Sequence, residues 1–366
     1  GELILFVSEE AAEAWSNAES VTRSGIDALD AVAIELGAKS VKPVFNMQIN
    51  GDLKREMDMH RWFTVELDEE LDIETVAQKY AALKEVNRVQ YSTILKRPKV
   101  QAAPAPESFA TRADVKMPFN DPMLKDQWHY INDGKNSGSN TAVAGADIAV
   151  KDAWKLTGGD PRVIVAVLDS PVKYDHPDLA ANMWKNEKEI PGNGEDDDKN
   201  GYIDDYYGWN CERENGDINW EGARASGHGT HVAGVVAAVN GNGIGVSGIA
   251  GGTGNNDGVR IMSCQIFENG YSTNLDASAN GFVYAAQNGA SIAQCSFGLI
   301  NGNYTSDAEY AGLYGAEYAG VQFFLDKENN NSDILDGNII IAAAGNERAT
   351  LSSYPAALEE VVSVTA

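Results

Sequence analysis

With 366 residues the chain is long enough for a full hydrophobic core and for more than one domain. It carries 54 Asp and Glu against 28 Lys and Arg, a formal charge of −26. Such a surface repels phosphate backbones and anionic lipid, which argues against nucleic-acid and membrane-surface roles, and clustered carboxylates suit hard cations such as calcium.

Gly1 to Phe6 is apolar but too short for a signal peptide and lacks its basic start, so an export signal is expected to have been removed. No later run approaches the roughly 18 apolar residues of a membrane span. Residues 1–99 read as a small α+β unit. Arg61 to Leu67 alternates like a half-buried strand, Asp72 to Leu83 has helical spacing, and Val86 to Ile94 reads as a returning strand. Residues 100–117, with the Ala/Pro-rich Gln101 to Pro106, form an extended linker that is either a tether or a segment meant to be cut.

The texture changes over residues 118–366. Arg162 to Leu168 is a continuous apolar run, as expected of a strand covered on both faces. Similar runs are Val259 to Phe267, Gly289 to Ser296, Asn338 to Ala344 and Val361 to Thr365. Helical patterns span Gly229 to Val239, Asp276 to Gln287 and Tyr310 to Phe324. This alternation predicts an α/β fold, a parallel sheet flanked by helices. Cys211, Cys264 and Cys295 are spread apart and read as buried free thiols.

Sites in open parallel sheets form beyond the carboxyl ends of the strands. Asp169 stands there, after Leu168, where it is a turn or helix cap unless a fixed partner makes it more. His228 lies between Gly227 and Gly229 at the start of an apolar helix. An imidazole oriented by a carboxylate accepts a proton from a hydroxyl nucleophile. His228 and His231 also have the i, i+3 spacing of a zinc pair, but neither an H-E-x-x-H pattern nor a cysteine pair accompanies them. Asn346 follows the small residues Ala342 to Gly345 at another strand end, either as a turn residue or with its amide available to an oxyanion.

Asp196 to Asp205 places oxygen donors at Asp196, Asp198 and Asn200, then Gly201 for a sharp turn and Tyr202 where a calcium loop offers its carbonyl. The closing Glu of an EF-hand is missing, so Asp205 or Asp204 is expected to close the site. A solvated acidic loop is the other reading.

Three blocks, Val-Leu-Asp169-Ser, Gly-His228-Gly-Thr-His-Val-Ala-Gly and Ala-Ala-Gly-Asn346, resemble in order the signatures of the subtilisin-like serine proteases. The resemblance runs from about Asn120 to Ala366. It implies a subtilisin-like fold, with Asp169 orienting the base His228 and Asn346 donating to the oxyanion. It also implies a peptide cleft, with Ser296 and Gly298 pairing to an extended peptide or protein substrate, Phe297 a pocket wall, and Tyr354-Pro355 lining the specificity pocket across a candidate cis bond. A second structural calcium is implied at Asp121, Asp178, Asn242 and the carbonyls of Ile244 and Val246. The resemblance further implies secretion, or placement in the cell envelope or periplasm, and makes residues 1–99 a propeptide that assists folding and inhibits the enzyme within its own chain.

The family's Gly-Thr-Ser-like nucleophile block does not occur in these 366 residues. The expectation is therefore a serine endopeptidase zymogen whose serine follows Ala366, the chain as given being inactive. The alternative is a peptide-binding pseudoprotease without turnover.

Overall fold

The computed structural model describes residues 1–45, 51–91, 117–135, 141–218, 227–268, 275–298, 306–326, 337–346 and 353–365. The predicted linker falls almost wholly outside them.

The leading unit runs β1 (Glu2–Val7), α1 (Glu9–Ser16), α2 (Asp27–Leu36), β2 (Ser40–Pro43), α3 (Gly51–Glu56), β3 (Trp62–Glu66), α4 (Ile73–Ala81) and β4 (Val86–Tyr91). Its antiparallel sheet has the order β2-β3-β1-β4, so the apolar start of the chain is a central strand. Ser8 and Asp72 cap α1 and α4 by accepting from the amides of Ala11 and Thr75. Phe63 and Val65 enter the unit's own core with Leu3, Leu5 and Tyr80. The predicted half-buried strand is instead buried on both sides, because Trp62 and Thr64 on its other face meet the second unit.

That second unit contains α5 (Val150–Ala153), β5 (Ile164–Asp169), β6 (Gly208–Asn210), α6 (His228–Ala237), β7 (Arg260–Gln265), α7 (Leu275–Gln287), β8 (Ile292–Cys295), α8 (Asp307–Leu313), α9 (Gly315–Leu325), β9 (Ile339–Ala343) and β10 (Val362–Val364). The six strands are parallel in the order β10-β9-β8-β5-β7-β6. α6 packs on one face with Val165, Val167 and Ile261, while α7 and α9 cover the other with Phe282, Val283 and Phe324. This is the predicted parallel sheet flanked by helices. All three cysteines are buried and free.

Two expectations change. Tyr310 to Phe324 is not one helix: it breaks at Tyr314 (φ −127°, ψ 43°), where Gly315 begins α9 against the leading unit. A Cβ at Gly315 would lie 2.4 Å from the Trp62 ring, so the break follows from close packing between the units. Val361 to Thr365 narrows to the three residues of β10, which pair in parallel with β9, with Val361 buried in the core before them.

The leading unit sits on α7 and α9. Thr64 Oγ1 donates to Asp276 Oδ2 at 2.6 Å, Asn280 Nδ2 to Val44 O at 3.0 Å and Arg88 Nη1 to Ala311 O at 2.6 Å.

Candidate active site

Asp169 ends the central strand β5 and is fully buried. Its Oδ1 accepts from the Ser170 amide at 2.6 Å and from Ser170 Oγ at 3.0 Å. His228, the first residue of α6, brings Nδ1 to 2.7 Å from Oδ1 and 2.8 Å from Oδ2. A carboxylate only accepts, so Nδ1 carries the hydrogen and proton exchange falls to Nε2. The helix start is keyed to the strand by backbone. Gly229 N donates to Ser170 Oγ at 2.9 Å, and a Cβ at Gly229 would lie 2.0 Å from Ser170 O. Only glycine permits that approach. Thr230 Oγ1 accepts from Lys173 N at 2.9 Å, adding a second tie.

Leu168, Cys295 and Ala342 are level across β5, β8 and β9. Asp169, Ser296 and Asn346 therefore emerge at one carboxyl edge, with β5 and β9 about 10 Å apart at ordinary strand spacing. Asn346 is exposed just past β9. Ser296, Phe297 and Gly298 follow β8 rather than extending it. The Phe297 ring is buried against Phe267 at 5.6 Å, a core position rather than an open pocket wall. A Cβ at Gly298 would lie 2.3 Å from Ser353 Oγ, which places this segment beside Tyr354-Pro355. That peptide bond is cis. Tyr354 stacks on Tyr310 at 4.3 Å and donates to Asp307 Oδ1 at 3.0 Å; burial pushes its phenol up to about 12.

The first acidic loop closes differently from the expected pattern. Ligand atoms of Asp196 and Asp198 gather with one from Glu189, all within 4.8 Å of one another. Glu189 lies seven residues upstream, outside the loop spacing, and sequence reasoning missed it. Neither proposed closing residue joins this group. Asp204 accepts from the amides of Gly192, Asn193 and Gly194. Asp205 turns inward to Asn186 at 2.7 Å and Tyr284 OH at 2.9 Å, and burial pushes its carboxyl to about 6. Asn200 bridges to Asp205 at 3.3 Å, and the Tyr202 ring is buried with its OH on Gln287.

The residues of the second predicted group lie close together, with the N–H groups of Ile244 and Val246 as donors. Asp121 accepts from Gly241 N (2.9 Å) and Ser247 Oγ (2.6 Å), Asp178 from Asn242 Nδ2 (2.8 Å) and Val246 N (2.9 Å). Ile244 N is tied to Asn242 Oδ1 at 2.8 Å. Burial, and to a lesser degree Asp121, raises the Asp178 carboxyl. Among the described residues, neither three-residue His, Cys, Asp and Glu group able to hold a metal includes His228 or His231.

A parallel sheet with helices on both faces, carrying an Asp-His pair at its carboxyl edge, has the architecture of a subtilisin-like α/β protein. The Subtilase family model (Peptidase S8) matches residues 160–366, more than half of the chain, and the chain belongs to that family. It is 29% identical over 265 residues to subtilisin-like protease 1 of Plasmodium vivax, covering 67% of this chain and 39% of that protein. It is 26% identical over 259 residues to the halolysin-like extracellular serine protease Nep of Natrialba magadii, covering 71% of this chain and 37% of that one. The crystal structure of fervidolysin from Fervidobacterium pennivorans superposes with a TM-score of 0.53 at 19% identity, over 99% of this chain and 42% of that one. That likeness concerns the fold alone and includes the leading unit, whose separate antiparallel sheet fits a small propeptide-like domain. The chain thus spans well under half the length of these three proteins. No helix among the described residues is long and apolar enough to cross a membrane.

Proposed function

We propose that residues 118–366 form the Asp-His part of a serine endopeptidase and that residues 1–99 are its propeptide. The observation that carries the reading is the two-oxygen contact of Asp169 with His228 Nδ1. It fixes ring orientation and tautomer, so Nε2 is the base that takes a proton from a serine hydroxyl and returns it to the leaving amine. The imidazolium formed between these steps is stabilised by the adjacent carboxylate. Asn346, at the same sheet edge, supplies a donor where negative charge develops on the attacked carbonyl. Ser296 and Gly298 offer backbone to an extended peptide, beside Tyr354 and Pro355.

Calcium fits both acidic groups. Glu189, Asp196 and Asp198 hold three carboxylates within reach of one hard cation, helped by Asn200 and the Tyr202 carbonyl. Asp121 and Asp178 are two buried carboxylates bonded to the loop 240–247, Asp121 through Gly241 and Ser247 and Asp178 through Asn242 and Val246. A bound cation would offset the repulsion within each group and tie loops to the core. The docking of the leading unit on α7 and α9 supports an inhibitor and folding aid held in the same chain, and the extracellular relative supports export.

The test is to express the protein as its gene encodes it and measure peptide hydrolysis and fluorophosphonate labelling. Both are expected, and both should be lost in H228A. A folded native protein that binds peptide without labelling or turnover would instead establish the pseudoprotease alternative.

A further inference from the structure

A buried carboxyl group lies on the face where the two units meet. Asp276 and Asn280 stand one turn apart on α7, and both reach the leading unit, through Thr64 and Val44. Asp276 is 7% exposed. Among the described residues, the charged groups acting on it are carboxylates: Glu2 of β1, and Glu214 and Glu212 of the turn after β6. Glu2 in turn faces Glu66 of the adjoining β3 and Lys42 of β2 beyond it. On α9, Glu317 is buried but bonded to Ser278 and Tyr310 inside the second unit. A carboxyl group stripped of water and surrounded by like charges is held best without its own charge.

We propose that Asp276 makes docking of the leading unit pH-gated: neutral, it is buried under the unit at little cost, and ionised, its loss of water among like charges weakens docking. This rests on the reading of residues 1–99 as a releasable propeptide. In the docked chain burial pushes the Asp276 carboxyl from 3.8 up to about 7. Separation returns it to water and toward its ordinary range. The contribution to docking is therefore complete below about pH 4, where both states are protonated. It declines as pH rises to about 7 and is constant above, where both are ionised.

The test is to place a specific protease site within residues 92–116 of the full chain, cut it, and measure the Kd between the two pieces at pH 5 and pH 8. The wild-type Kd should rise at least tenfold, and linkage allows up to about a hundredfold between these two pH values for a shift of this size. D276N should bind equally at both pH values, within twofold. T64V removes the hydroxyl that favours the ionised form and should move the midpoint to higher pH. E317Q should keep the wild-type profile. A wild-type Kd unchanged within twofold, a D276N variant that keeps the rise, or an E317Q variant that loses it would each overturn the proposal. If D276N does not fold, an unshifted T64V midpoint does the same. Inhibition is assayed separately. A leading piece that binds with this pH profile but does not inhibit defeats the propeptide reading alone, while one that inhibits with a pH-independent Kd defeats the gate alone.

Discussion

Asp169 and Asp276 are both buried aspartates of the second unit, and their surroundings are opposite in kind. Asp169 collects an amide, a hydroxyl and an imidazole from β5 and α6, two elements locked together by backbone contact. Asp276 receives a hydroxyl from another unit and, among the described residues, the like charges of Glu2, Glu212 and Glu214 act on it. Burial is common to both, so burial does not decide what a carboxyl group does. The number of donors and the sign of the neighbours decide it.

The contrast breaks most sharply under mutation. In the gene-encoded enzyme, D169N should lower kcat/KM by about 10⁴-fold, since Asn leaves the geometry but favours the wrong tautomer. D276N should leave kcat within twofold once the leading unit is removed, and steady-state kinetics on both variants would collapse the contrast if they fell alike. N346A should cost about 10²–10³-fold in kcat with little change in KM, the size found when a subtilisin loses its own oxyanion asparagine. Excess EDTA tests a third kind of carboxylate group, one settled by a cation. A calorimetric melting temperature lowered by at least about 5 °C is expected, and an unchanged one would rule out a structural role for calcium. The smallest effect is expected from S170A, which removes one donor from Asp169 and the acceptor of Gly229 N. About a tenfold loss of kcat/KM is expected, with KM nearly constant.

What was legible in the sequence was local. Asp169 follows an apolar run and His228 opens a helix between glycines, so the pattern of immediate neighbours assigns each to its element. The Asp196 loop was legible in its spacing, but Glu189 was not, because a residue outside the repeat enters only when the loop folds back. The Thr64–Asp276 bond joins residues 212 positions apart, and no pattern links them. Strand β3 shows the same limit: its alternation marked two faces, but the second unit covers the face that looked destined for water. The break at Tyr314 was hidden because Gly315 answers to the Trp62 ring rather than to its own helix.

The contact between Gly229 and the Ser170 carbonyl sets the start of the helix that carries the histidine directly on the backbone that follows the aspartate. With the α6 side chains packed on Val165 and Val167 behind that contact, the two catalytic elements move as one body. Any breathing of the cleft must be taken up on the Ser296 and Asn346 side. Substrate entry should therefore leave hydrogen exchange at residues 164–170 and 228–237 unchanged, and alter it along the opposite rim.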